Sequence, residues 1–160
     1  MNLKTVKIEV PKDTNIILGQ SHFIKTVEDI YEAIVSTNPN IKFGLAFAES
    51  SGDCYVRHEG NDEHLRKIAA ENIFKIGAGH TFMIVLQNGY PINILNAIKN
   101  VPEVCRIYAA TANPLKVIVA EDDEGCGIVG VIDGYKPKKI EEEKDITWRK
   151  EILRKLKYKF

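Results

Sequence analysis

Residues 61–86 read NDEHLRKIAAENIFKIGAGHTFMIVL, and this stretch decides the fold. Asn61 can cap a helix, with Asp62 and Glu63 in the first turn, where the positive end of a helix favours acid. Leu65, Ile68, Ala69, Ile73 and Ile76 recur at helical steps and form one apolar stripe for a core. Gly77 and Gly79 stop the helix, because glycine takes the conformations in which a chain leaves helical geometry. Residues 80–86 are then a short, mostly apolar run, which predicts a buried strand. A helix, a glycine turn and a buried strand together make a repeating unit of an α/β domain.

The flanking sequence continues the alternation. Residues 4–10 alternate polar and apolar until Pro11, as a strand would, and residues 16–19 are a short apolar piece. Val27, Ile30, Tyr31, Ile34 and Val35 share a helical face, with Thr26 as N-cap, and Asn38-Pro39-Asn40 ends that helix. Residues 41–48 predict a buried strand, followed by a turn at 50–53 and a further extended piece at 54–56. Pro91 opens a short helix after the Asn88-Gly89 turn, since proline suits a first helical position. Residues 105–110, 115–120 and 128–132 predict three strands, and 140–156 a C-terminal helix with Ile146, Ile152, Leu153 and Leu156 on one stripe. The reading is one α/β domain over residues 1–160, a layered sandwich with a mixed sheet flanked by helices. The consecutive late strands require that some pairs be antiparallel.

The 160 residues carry 22 basic and 22 acidic side chains, and 44% are hydrophobic. That is enough apolar material for a core, and it excludes the disordered class. Zero net charge excludes a protein that works by gripping nucleic acid or an anionic membrane. The zero hides an asymmetry: residues 136–160 carry a net +5 and the rest −5. A solvated helix face accounts for the basic segment, and so does docking on an acidic surface of its own or a neighbouring subunit. Cys54, Cys105 and Cys126 have neither disulfide nor zinc spacing, and Cys105 reads as a small core residue. No run approaches membrane-spanning length and no leader is visible, so a cytoplasmic protein is expected.

The motif with most chemistry is Gly77-Ala78-Gly79-His80-Thr81. Two glycines let backbone N–H groups approach an anion, and His80 adds a nucleophilic nitrogen or a base, with the Thr81 hydroxyl beside it. The same residues also read as a plain helix C-cap and strand start. Residues 125–130, GCGIVG, match GxGxxG, but a strand follows where a dinucleotide site needs a helix, so a tight hairpin is the reading. Residues 19–23, GQSHF, place Ser21 and His22 before a helix N-terminus, where anions bind. Asp133 lies at a strand end, and Glu49 stands with it as a carboxylate for Mg²⁺ or for a substrate hydroxyl. Asn93 and Asn96, three apart, share a helix face that two amides of a ligand contact would require.

Taken together, residues 19–33 (GQSHFIKTVEDIYEA), 76–82 (IGAGHTF), 88–106 (NGYPINILNAIKNVPEVCR), 110–114 (ATANP) and 125–134 (GCGIVGVIDG) resemble the adenosine-specific kinase family. Trp148-Arg149-Lys150 near the end adds to the resemblance. The resemblance implies phosphoryl transfer involving adenosine or AMP and ATP, with Mg²⁺ and a stable phosphohistidine. It places the phosphate on His80, which matches the GAGH motif, with His22 second. Around them Gly77, Gly79 and Thr81 would hold the phosphoryl group, and Arg106 or Lys25 would neutralise its charge. Asp133 or Glu49 would serve Mg²⁺ or the adenosine hydroxyl, and Asn93 and Asn96 would contact the nucleoside. The resemblance also implies a homo-oligomer, a trimer. A nucleotide-binding or sensing protein that carries a phosphohistidine without turnover is the alternative.

Overall fold

The computed structural model describes residues 1–160. Along the chain run β1 (Asn2–Lys7), β2 (Asn15–Ser21), α1 (Thr26–Thr37), β3 (Lys42–Ala48), β4 (Val56–Gly60) and α2 (Glu63–Ile76). They are followed by β5 (Thr81–Gln87), α3 (Pro91–Lys99), β6 (Val104–Thr111), β7 (Leu115–Glu121), β8 (Cys126–Asp133) and α4 (Glu143–Lys155). The strands form a five-stranded sheet ordered β4-β3-β5-β2-β6 and a three-stranded sheet ordered β1-β7-β8.

The α/β class holds, and the expectation of a mixed sheet does not: every strand pair in both sheets is antiparallel. The helix α1 does bring β2 and β3 parallel to each other. However, β5 fills the gap between them and pairs antiparallel with both, so no parallel contact forms.

Both faces of the five-stranded sheet are covered, which is why residues 82–86 are apolar without alternation. On one face Ile17, Phe43, Phe82 and Ile84 pack with Ile30 and Ile34 of α1 and Ile94 and Ile98 of α3. On the other, Ile16, Leu18, Met83 and Val85 pack with Ile68 and Ile73 of α2 and Val117 and Val119 of β7. At Gly44 an added Cβ would sit 2.0 Å from the Arg66 nitrogen, so α2 lies directly on β3. Asn72, fully buried in α2, accepts from the Glu9 N–H (3.0 Å) and donates to the Glu9 C=O (2.9 Å), fixing the segment after β1.

Several local expectations shift by a residue or change role. Asp62, not Asn61, caps α2 by accepting from the Leu65 N–H at 3.0 Å. Asn61 instead accepts from Phe43 N–H and donates to Ile41 C=O, tying β3 to the start of the helix. Thr26 is buried in the first turn of α1, where its hydroxyl meets Phe23 O at 2.5 Å and the Ser21 hydroxyl at 2.7 Å; Lys25 occupies the cap position without a capping bond. Gly77 takes the left-handed conformation (φ 69°) expected of a helix stop. Cys105 is exposed on the edge strand β6 rather than in the core. No residue of α4 is buried. No helix is long and apolar enough to cross a membrane.

Candidate functional site

The site is built where three strands of the larger sheet end together. Ser21 closes β2, Ala48 closes β3 and His80 immediately precedes β5. The His80 N–H donates to Ala48 O at 2.7 Å, and its C=O accepts from Ser21 N–H at 3.0 Å. Both neighbouring strands therefore clamp its backbone, and they hold it at φ 62°. That left-handed conformation is uncommon for a residue with a Cβ. The imidazole lies 5.9 Å from the Phe47 ring at an interplanar angle of 17°, a stacked arrangement. Gly79 is needed for packing as much as for freedom, because a Cβ there would fall 2.5 Å from Ser50 Cβ. The buried Thr81 hydroxyl donates to Ala78 O at 2.6 Å, so it closes the glycine loop from within.

The Phe47 side of the sheet carries the charges. Arg57 of β4 is the direct cross-strand partner of Phe47, so both project from one face. Its Nε donates to Glu49 Oε1 at 2.8 Å, while Glu49 Oε2 accepts from the Tyr55 N–H at 2.9 Å. The hydrogen bond from Arg57, and after it the one from Tyr55, holds the Glu49 carboxyl below its usual range. The guanidinium also sits 5.1 Å from the centroid of the Tyr55 ring. A groove of about 440 Å³ runs from Arg57 and Glu59 to Phe23, Ile24 and Lys25 at the start of α1. A second cavity of about 470 Å³ lies on the other side of the glycine loop, lined by Ser50, Gly77, Gly79, Glu49 and Glu124 and by no Lys or Arg. The Phe47-side groove sets Lys25 and Arg57 beside the Glu28 and Glu59 carboxylates, whereas the charged lining of the second cavity is acidic only, so of the two the groove is the less repulsive to an anion.

A family model described as adenosine specific kinase matches residues 6–159. The chain belongs to the adenosine-specific kinase family. The crystal structure of the PH1918 protein from Pyrococcus horikoshii OT3 is similar over 99% of this chain and 98% of that one, with 44% identity and a TM-score of 0.95. No curated protein matches. The family's description indicates kinase chemistry directed at adenosine, so the strand-end site has to be judged for phosphoryl transfer.

Of the residues expected from membership of this family, the structure gathers some and separates others. His80, Gly77, Gly79, Thr81 and Glu49 share one end of the sheet. His22 and Lys25 join them, because His22 follows Ser21 and Lys25 opens α1. His22 is exposed, with its N–H donating to Glu103 O at 3.1 Å. Lys25 Nζ lies 3.3 Å from Asp29. Asp133 is elsewhere: it accepts from the Thr111 hydroxyl at 2.7 Å, and Thr111 pairs with Ile16 at the opposite end of β2. At about 3.3 Å per residue this is roughly 16 Å from Ser21. Asn93 lies at that far end too, its Oδ1 accepting from the Tyr90 N–H at 2.8 Å to cap α3. Asn96 is exposed on the same helix, and Arg106 is exposed on edge strand β6, opposite Gln20.

The carboxylates do not form a metal cage. No three His, Cys, Asp or Glu side chains are grouped to hold an ion, and both oxygens of Glu49 are already engaged. Three residues that the sequence did not single out belong to the site. Arg57 lay in a charged strand end with no motif around it, and Phe47 read simply as core. Glu103 is the third: it is 3% exposed, its Oε1 has no partner, and burial followed by the neighbouring Asp29 pushes its carboxyl up. Only its position in an otherwise apolar turn after α3 could have marked it.

Proposed function

We propose that this protein transfers a phosphoryl group from ATP to adenosine, giving ADP and AMP, with His80 as the carrier. The observation that supports this most is the clamped left-handed backbone of His80 with its ring stacked on Phe47. Strained backbone of this kind persists where the surroundings hold a group in place for a task. A neutral imidazole nitrogen would attack the γ-phosphorus, and the bond to the β–γ bridging oxygen would break to release ADP. The adenosine hydroxyl oxygen would then attack the same phosphorus, the N–P bond would break, and the hydroxyl proton would end on the imidazole. Catalysis of such transfers rests on positioning and charge stabilisation. Lys25 and Arg57 supply positive charge on the face that His80's ring shares with Phe47, while Phe23 and Ile24 offer the groove an apolar wall for the adenine ring. The Glu28 and Glu59 carboxylates lining that groove can accept from the ribose hydroxyls or the adenine amino group.

Glu49, held by Arg57 and Tyr55, acts in this reading by fixing the guanidinium rather than by binding Mg²⁺. Asp133 and Asn93 have no part in the step, being at the far end of the sheet. The test is purified protein with ATP and adenosine, following AMP and protein-bound phosphate together. Many AMP molecules per chain and an acid-labile label that His80→Ala removes are expected. Binding with at most one phosphate per chain and no AMP would instead favour the nucleotide-sensing reading and overturn this one.

A further inference from the structure

Among the buried side chains only Glu103 keeps a polar atom without a partner: it is 3% exposed, and its Oε1 meets no hydrogen-bond donor. An ionised carboxylate in that state is costly, because burial penalises the charge and the unpaired oxygen adds to the penalty. The turn that carries Glu103 is tied to the site. Its C=O accepts from the His22 N–H at 3.1 Å, and one residue earlier the Ser21 N–H meets the His80 C=O at 3.0 Å. The neighbouring acid is Asp29, in the first turn of α1, whose carboxyl lies within hydrogen-bonding reach of the Glu103 carboxyl.

Two carboxylates that share a site resist ionising together, and one proton between them removes the repulsion and supplies the missing hydrogen bond. The charged groups that face the Glu103 carboxyl are Asp29 and Lys25, both at the start of α1. From β2 and β6 the His22 N–H and the Cys105 thiol reach this residue at its carbonyl oxygen instead. Lys25 Nζ stands 3.3 Å from Asp29 Oδ2. With one proton on the pair the three groups are neutral; without it two negative charges face one ammonium. Burial first, and Asp29 second, push the Glu103 carboxyl up, so the deeper acid is where the proton rests. Lys25 is half-exposed and also lines the groove that runs to Arg57, so its ammonium has two places to go. An ion pair so exposed holds its lysine weakly, and the charge behind Asp29 decides between the two.

Resting on the phosphoryl-transfer reading, which gives Lys25 to the phosphate, we propose that Asp29 and Glu103 hold one proton between them and act as a positioning pair that frees Lys25 for a phosphate anion in the groove. When the pair gives up that proton, Lys25 turns back to the two carboxylates and the phosphate loses its ammonium. Neither acid has to touch the reacting atoms.

The dissociation constant for ATP is measured by calorimetry over about pH 5–9, the span in which a buried carboxyl can titrate, for the full chain, Glu103→Gln, Asp29→Asn and Lys25→Gln. Carbon-detected NMR follows the Glu103 carboxyl in the full chain and in Asp29→Asn. Taking the ratio of the full chain to Glu103→Gln at each pH cancels the titration of ATP itself, of His22 and of His80. That ratio should rise by roughly fivefold to tenfold, the size of one partly exposed charge-assisted hydrogen bond, over the interval in which Glu103 ionises. Glu103→Gln keeps an amide donor towards Asp29 at every pH and so lacks the step. Lys25→Gln should bind ATP weakly throughout and lack it too. In Asp29→Asn the Glu103 titration and the step in ATP affinity should both move to lower pH, which decides the matter should Glu103→Gln fold poorly. A flat ratio, a step retained by Lys25→Gln, or a Glu103 titration that Asp29→Asn leaves in place would overturn the proposal. ATP that binds at no pH would instead overturn the phosphoryl-transfer reading and the role given to Lys25, while the NMR titration still shows whether the two acids share a proton.

Discussion

Substitution of His80 separates the strain in its backbone from the chemistry of its ring. Alanine and glycine both delete the imidazole, and both forfeit its stacking on Phe47, worth about 0.5–1.5 kcal/mol for an aromatic pair. They differ in what they do at φ 62°. Alanine keeps the left-handed penalty of about 1–2 kcal/mol that its Cβ incurs there. Glycine escapes it, at a cost of about 0.5–1 kcal/mol for the freedom it gains in the unfolded chain. His80→Gly should therefore be more stable than His80→Ala by about 1 kcal/mol, which in a chain of this size is about 2–4 °C in Tm. Urea unfolding of the two variants side by side measures the difference, and neither should form AMP. An alanine variant as stable as the glycine variant would refute the strained backbone, and with it the argument that the surrounding strands hold His80 for a task.

Other consequences follow from single contacts. Gly44→Ala should be severely destabilising, seen as insoluble or unfolded protein, because its Cβ would fall 2.0 Å from the Arg66 backbone nitrogen. Arg57→Ala should move the Glu49 carboxyl upward, towards its ordinary range, in an NMR titration and slow AMP formation, because Arg57 is the leading cause of the depression, while the Tyr55 N–H bond remains. Glu103 has its pKa raised by folding, so its contribution is present below the unfolded value of about 4.3 and is lost as pH rises through the folded value. Glu103→Gln removes that loss. Its stability relative to the parent should therefore grow as pH rises from about 4.3, measured by urea unfolding at several pH values.

Much of the fold was legible because its signals are local. The stripe from Leu65 to Ile76, the Gly77 stop and the run at 82–86 each dictate an element whatever surrounds it. Pairing was less legible: nothing within residues 16–48 says that β5 will enter between β2 and β3, which is why the antiparallel order was not anticipated. The site divides in the same way. His80 and Lys25 stood in readable motifs, and the sheet brought them together. Asp133 and Asn93 satisfied residue-type arguments equally well, yet they lie at the opposite end of the sheet, where they tie a turn and a helix cap. Arg57 and Phe47 matter through cross-strand pairing across β3 and β4, a relation that sequence spacing does not carry.

The central claim is that His80 carries the phosphate, and mapping the modification tests it most directly. Protein incubated with ATP is digested under alkaline conditions, which preserve phosphohistidine, and the peptides are sequenced by mass spectrometry. The account predicts phosphate on the peptide containing His80, lost on adding adenosine as AMP appears. Phosphate on His22 or another residue, or a His80 phosphate that adenosine leaves in place, would contradict it.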